Sequence, residues 1–164
     1  MSLHGSSYRV ALLITLVSLV PLCASAAEAG SERPEFLNSP EALKQDWPFS
    51  EAVRAGDFVF LSGQIGTDAS GRVVSGGIRA EARQTLENVK SVLERNGLGL
   101  DDVVKCTVFL ADIAEWPVFN EIYREFFKRP YPARSAFAAS GLALNARLEL
   151  ECIAYAPRSS HMHH

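Results

Sequence analysis

The chain has 164 residues, enough for one domain with a sizeable core and too few for two ordinary ones. Hydrophobic residues make up 48% and charged residues 21%, the balance of a soluble globular protein. A net charge of −3 and the lack of a basic cluster interleaved with aromatics argue against a nucleic-acid partner.

Arg9 stands before the apolar run Val10–Val20, and Ala24-Ser-Ala26 follows with small residues at cleavage spacing. Residues 1–26 therefore read as a secretory signal peptide. The run falls short of the roughly 20 residues that a membrane span needs. Cys23 follows Leu22, which is bulkier than lipid-attachment sites tolerate, so no stable membrane anchor is expected after cleavage and the location is periplasmic or secreted. Cleavage removes Arg9, His4 and Cys23, and the net charge becomes −4. Residues 27–46, rich in Glu, Ser, Ala and Pro, read as a linker or loosely packed arm. Residues 158–164 hold the other three histidines and read as an appended tail. The remaining domain, 47–157, has no histidine and no His/Cys cluster at metal-ligand spacing, so no metal site is expected.

Within the domain, Ser50–Arg54 and Phe58–Ser62 predict two strands joined by a turn at Ala55-Gly-Asp57. The glycine-rich stretch from Gly63 to Gly77 predicts loops around a short extended Val73-Val74, and lacks the Gly-Lys-Ser/Thr of a phosphate-binding loop. Ile78, Ala82, Leu86, Val89 and Leu93 form one stripe at helical spacing, predicting a helix over 78–96 that stops at Gly97. Val103–Leu110 reads as a strand apolar on both faces. A second helix opens at Pro117 and ends before Pro130, and two strands follow, Ala133–Ala139 and Arg147–Ala156. The order β-β-α-β-α-β-β predicts an α+β sheet with two helices on one face. Strands apolar on both sides need a second cover, and another copy of the sheet supplies it, so an oligomer is expected. Cys106 and Cys152 lie in apolar strands. An oxidising compartment permits a disulfide between them, but cysteine packs as a small hydrophobe and two buried free thiols are expected.

Arg134, in Tyr131-Pro-Ala-Arg-Ser135, follows a proline that favours extended backbone, and its planar guanidinium matches a carboxylate. An ion pair across the sheet is the alternative. Glu149 alternates with Leu148, Leu150 and Cys152, so it faces away from the helices. Against another subunit it is desolvated and suited to proton transfer; otherwise it is a surface carboxylate. Ser62, with no histidine to serve as its base, is a hydrogen-bonding group rather than a nucleophile, and Gly63 lets a ligand approach the backbone. Asn120 either orients a polar ligand or faces solvent. Trp47, Trp116 and the Phe119-Tyr123-Phe127 set read as packing.

Taken together in this order, Ser62-Gly-Gln-Ile65, Ala82–Lys90, Thr107-Val-Phe109, Asn120 with Tyr123 and Phe126-Phe127, and Pro132-Ala-Arg-Ser135 resemble the RidA/YjgF/RutC family of imine and enamine deaminases over residues 47–157. The resemblance implies a chorismate-mutase-like fold in a barrel-like homotrimer, with ligand clefts between subunits. It implies Arg134 as the substrate's carboxylate anchor, Glu149 as the residue managing the hydrolytic water, and Ser62, Gly63 and Asn120 lining or supporting the cleft. It also implies hydrolysis of small 2-imino acids without a cofactor. Two positions depart from the pattern: Phe49 replaces a tyrosine in Pro48-Phe-Ser50, and Ala136 stands where a cysteine is common. Two other readings remain: a non-catalytic module binding small carboxylates in the same cleft, and a ribonuclease. The acidic charge and absent histidine argue against the second.

Overall fold

The computed structural model describes residues 33–157; the expected signal peptide, the first part of the expected arm and the tail lie outside the described residues. The elements run β1 (Glu35–Leu37), α1 (Pro40–Lys44), β2 (Ala52–Ala55), β3 (Phe58–Leu61), β4 (Gln64–Ile65), α2 (Gly77–Arg95), β5 (Val103–Leu110), α3 (Trp116–Phe126), β6 (Ala133–Ala138) and β7 (Leu148–Tyr155). The seven strands form one sheet in the order β1-β2-β3-β7-β5-β6, with β4 also paired to β7. All pairings are antiparallel except β5 with β6.

The expected α+β arrangement forms, with α2 and α3 covering one sheet face. The buried stripe of α2 comprises Glu81, Ala82, Thr85, Leu86, Val89, Val92 and Leu93. The helix ends through Gly97 at φ 72°: the Gly97 N–H donates to Glu94 O and the Leu98 N–H to Leu93 O, satisfying two terminal carbonyls. Asp112 accepts from the Ala114 N–H in the turn before α3, and Pro117 sits in the first turn of that helix, where no N–H is needed. Leu86, Leu93, Leu110, Leu148 and Leu150 are fully enclosed between these helices and the sheet. Truncating any one of them costs about 2–5 kcal/mol.

Two readings from the sequence need correction. Residues 35–44, inside the stretch taken for a linker or arm, form β1 and α1. Phe36 pairs opposite Val53, while Ser39 accepts from the Ala42 N–H and Pro40 opens the helix. Cys106 and Cys152 are joined in a disulfide rather than free. They stand directly opposite in the β5–β7 register with Cα atoms 4.1 Å apart, the close spacing of a non-hydrogen-bonded antiparallel pair.

The opposite face of the sheet is as apolar as expected. Phe36, Phe58, Phe60, Phe137 and Tyr155 are all exposed within the protomer, and the Phe58 and Tyr155 rings meet at 5.3 Å.

Candidate active site

Arg134 lies on the edge strand β6, opposite Cys106, so its side chain turns toward the helical face. There the guanidinium donates from Nη2 to Asn120 Oδ1 at 2.5 Å. Its Cζ sits 4.5 Å from the ring centre of Tyr123, 5.4 Å from Phe119 and 5.9 Å from Trp116. These rings hold the cation through their negative faces without neutralising it. No carboxylate among the described residues reaches Arg134 within 4 Å. Burial lowers the guanidinium's pKa from its ordinary value; Tyr123 opposes that shift and Arg124 adds to it. Arginine stays protonated in such settings, so the site keeps an uncompensated positive charge. Together with Tyr131, Pro132, Ser135 and Ala136 it lines an open cavity of about 330 Å³.

Glu149 is on the other sheet face, where alternation along β7 was expected to put it: Leu148, Leu150 and Cys152 are buried under the helices. The path from β3 into β4 positions its carboxylate. Between the pairs Phe60–Ile153 and Gln64–Leu150 the chain advances four residues on one side and three on the other, a β-bulge at Ser62-Gly63. The Glu149 carboxylate fills the space beside Gly63, so that a methyl group there would lie 2.8 Å from Glu149 Cδ. Among the described residues no donor bonds that carboxylate, and its pKa is raised by burial first and by the charge of Glu151 second. The Ser62 hydroxyl donates to Ser50 O at 2.6 Å, and Phe49 stacks on Trp47 with ring centres 5.4 Å apart. Phe49 and Ser62 line a second cavity of about 540 Å³, next to Gly63 in the chain.

The candidate residues thus fall into two groups. Arg134, Asn120 and Ala136 stand together at the β6 edge on the helical face. Gly63 and Glu149 meet on the opposite face at the bulge, with Ser62 adjoining Gly63 in the chain and Phe49 sharing the cavity that Ser62 lines. Within one protomer two strand spacings separate β6 from β7, about 10 Å, and three residues of register add about 10 Å more. No small ligand touches both Arg134 and Glu149 of one protomer.

Trp116 and Tyr123 had been read as packing, yet both line the Arg134 cavity. Their spacing from Asn120, four and three residues, already put all three on one helix face. Arg147 does not join Glu149; its guanidinium is paired with Glu115. Among the described residues no group of three or more His, Cys, Asp or Glu side chains is arranged to hold a metal ion.

The family model described as Endoribonuclease L-PSP matches residues 39–156, and the chain belongs to that family, the one also called RidA/YjgF/RutC. Over 119 residues it is 41% identical to the 2-iminobutanoate/2-iminopropanoate deaminase of Dermatophagoides farinae, covering 72% of this chain and 93% of the relative. The human protein of the same name is 44% identical over 108 residues, 65% of this chain and 79% of its own. The crystal structure of RidA from an Antarctic Psychrobacter superposes with a TM-score of 0.64 at 37% identity, covering 67% of this chain and 89% of that one.

Proposed function

We propose that this protein hydrolyses small 2-imino acids, reached directly or through their enamine tautomers, to 2-keto acids and ammonia. It would do so as an exported homotrimer whose sites lie between subunits. The observation that carries the reading is the pairing of two incomplete half-sites: a cation with no carboxylate partner among the described residues at one sheet edge, and a half-buried carboxylate on the apolar face that a second copy would cover. Two relatives named above bear the name of this activity.

In the composite cleft, Arg134 of one subunit binds the substrate carboxylate, held in aim by Asn120 and the aromatic rings. Glu149 of the neighbour accepts a proton from water as the water oxygen bonds to C2 and the C=N π electrons move to nitrogen. The same carboxyl returns that proton to nitrogen, giving a carbinolamine with –OH and –NH2 on C2. It then takes the hydroxyl proton as the C2–O bond becomes a carbonyl and hands it to nitrogen as the C–N bond breaks, so that the nitrogen leaves as ammonia. Imines already hydrolyse in water, so orientation and a few kcal/mol of charge stabilisation suffice.

The test generates imino acids with an amino-acid oxidase and follows keto-acid or ammonia release with and without this protein, alongside its mass in solution. Faster release by a trimer is expected, lost in Arg134→Ala. Saturable keto-acid binding with no acceleration would make the cleft a carboxylate-binding module instead. Mass spectrometry of periplasmic material tests export and cleavage after Ala26.

A further inference from the structure

We infer that the half-site around Glu149 carries a side-chain subsite for aromatic or large apolar groups. On this inference, which rests on the imine-hydrolase reading, the preferred substrates are 2-imino acids bearing such side chains. The cavity of about 540 Å³ beside Ser62 falls within the size range of small-molecule sites. Its wall is the stacked pair Trp47 and Phe49, 13° from coplanar, with Phe36 and Leu43 beside them. All four side chains are exposed, between 49% and 70%, so the apolar faces are free for contact within the protomer.

Much of the hydrogen-bonding capacity of the polar groups lining the same cavity is already engaged within the protomer. Asn38 Nδ2 donates to Ser50 Oγ, Asn38 Oδ1 accepts from the Glu51 N–H, and Ser62 Oγ donates to Ser50 O. What remains to meet a side chain is mainly flat apolar surface, with the Asp46 carboxylate the one charged lining group among the described residues. That combination accepts an aromatic ring by stacking and rejects an acidic side chain by repulsion. The position is right for this role. Ser62 lines the cavity and adjoins Gly63, against which the Glu149 carboxylate rests. Phe36 and Val53 lie on the same sheet face but level with Ile153, four residues along β7 from Glu149, so they form the far end of the cavity and its Ser62 end is the one next to the carboxylate. At Phe49 the ring has no hydroxyl, so nothing on it competes for a polar group.

Two measurements test the subsite on the full chain. Binding of phenylpyruvate, pyruvate and oxaloacetate, followed by calorimetry, reads the subsite without needing turnover. Phenylpyruvate is expected to bind at least about tenfold more tightly than pyruvate and oxaloacetate more weakly than either, the contrast falling in Trp47→Ala. Turnover of imines freshly made from phenylalanine and alanine should show the same order in kcat/KM, and Trp47→Ala should depress the phenylalanine-derived imine more. Equal affinities in the wild type, or a contrast untouched by Trp47→Ala, would overturn the inference. So would a Trp47→Ala chain of altered mass in solution, which would assign the aromatic pair to a subunit contact. Absence of turnover with every imine would sink the hydrolase reading while the binding contrast still decides the subsite.

Discussion

The carboxylate of Glu149 occupies the space that a side chain on residue 63 would need. The atoms in the way are the far end of a flexible side chain, so Gly63→Ala is accommodated by swinging Glu149 aside rather than by unfolding. We expect kcat/KM for imine hydrolysis to fall at least about tenfold, since misplacement of a proton-handling group is felt directly in the rate. The melting temperature should move by only a few degrees, roughly what 1 kcal/mol does in a chain of this size. A wild-type rate in a folded Gly63→Ala protein would detach Glu149's position from catalysis.

The pH dependence should report Glu149. Burial, and after it Glu151, raise its carboxyl pKa above the ordinary value. Activity that needs the carboxylate therefore rises with pH through that raised value. Glu151→Gln removes the second cause and should shift the acid limb of kcat/KM to lower pH. Glu149→Gln should remove the limb and cost about 10²–10⁴-fold in rate. For stability the sign runs the other way. A carboxyl whose pKa is raised by folding binds more protons folded than unfolded, so its contribution falls as pH climbs through that window. Glu149→Gln should consequently be no less stable than wild type near neutrality, which chemical denaturation at pH 5 and pH 7.5 measures.

Arg134 and its aromatic bed make a separable prediction. Arg134→Lys keeps the charge but loses the planar fork held by Asn120, so binding should weaken by about tenfold or more, chiefly in KM. The Tyr123 hydroxyl is buried without a hydrogen-bond partner among the described residues and its pKa is pushed up to about 12 by burial, so it stays neutral throughout the working range. Tyr123→Phe should then leave KM within about twofold and stability unchanged or slightly higher, because an unsatisfied buried hydroxyl is removed. Tyr123→Leu removes the ring face and should raise KM by several-fold. Equal kinetics in the Phe and Leu variants would deny the ring any part in holding Arg134.

How much of this was legible beforehand depended on whether the signal was local. Val103–Leu110 and the helix ending at Gly97 were read almost to the residue, because apolar spacing and a left-handed glycine are written along the chain. The strand β1 and helix α1 were taken for a loose arm: one is three residues long and the other rests on a cap and a proline, too little for periodicity to register. Arg134 and Glu149 were both singled out from the sequence as candidates. Their separation was not, because it follows from pairing between strands: β5 lies between β6 and β7, and the register sets Arg134 opposite Cys106 but Glu149 opposite Phe109. Strand order is a long-range property that alternation within one strand does not encode. The β-bulge at Ser62-Gly63 escaped for the same reason, since a bulge exists only relative to the partner strand.

The disulfide is the sharpest case of such long-range information, and it has a measurable consequence. Cys106 and Cys152 are 46 residues apart in sequence, and each was read correctly as a buried strand residue. Only the register that sets them opposite each other makes a bond. Closing a loop of that length restricts the unfolded chain by about 4 kcal/mol in the chain-entropy account, with about 2–4 kcal/mol the usual yield. The bond is enclosed under α2 and α3 and lies apart from the Glu149 carboxylate, on the other sheet face. Cys106→Ala/Cys152→Ala should therefore lower unfolding stability by that amount while kcat/KM at 25 °C stays within about twofold. Equilibrium denaturation of the variant, and of the wild type after unfolding in reductant, measures the first; the imine assay measures the second. Equal stability of the oxidised and the double-alanine proteins would mean the bond adds nothing to a strand pair already held by its neighbours. Loss of activity without loss of stability would tie it to the site instead.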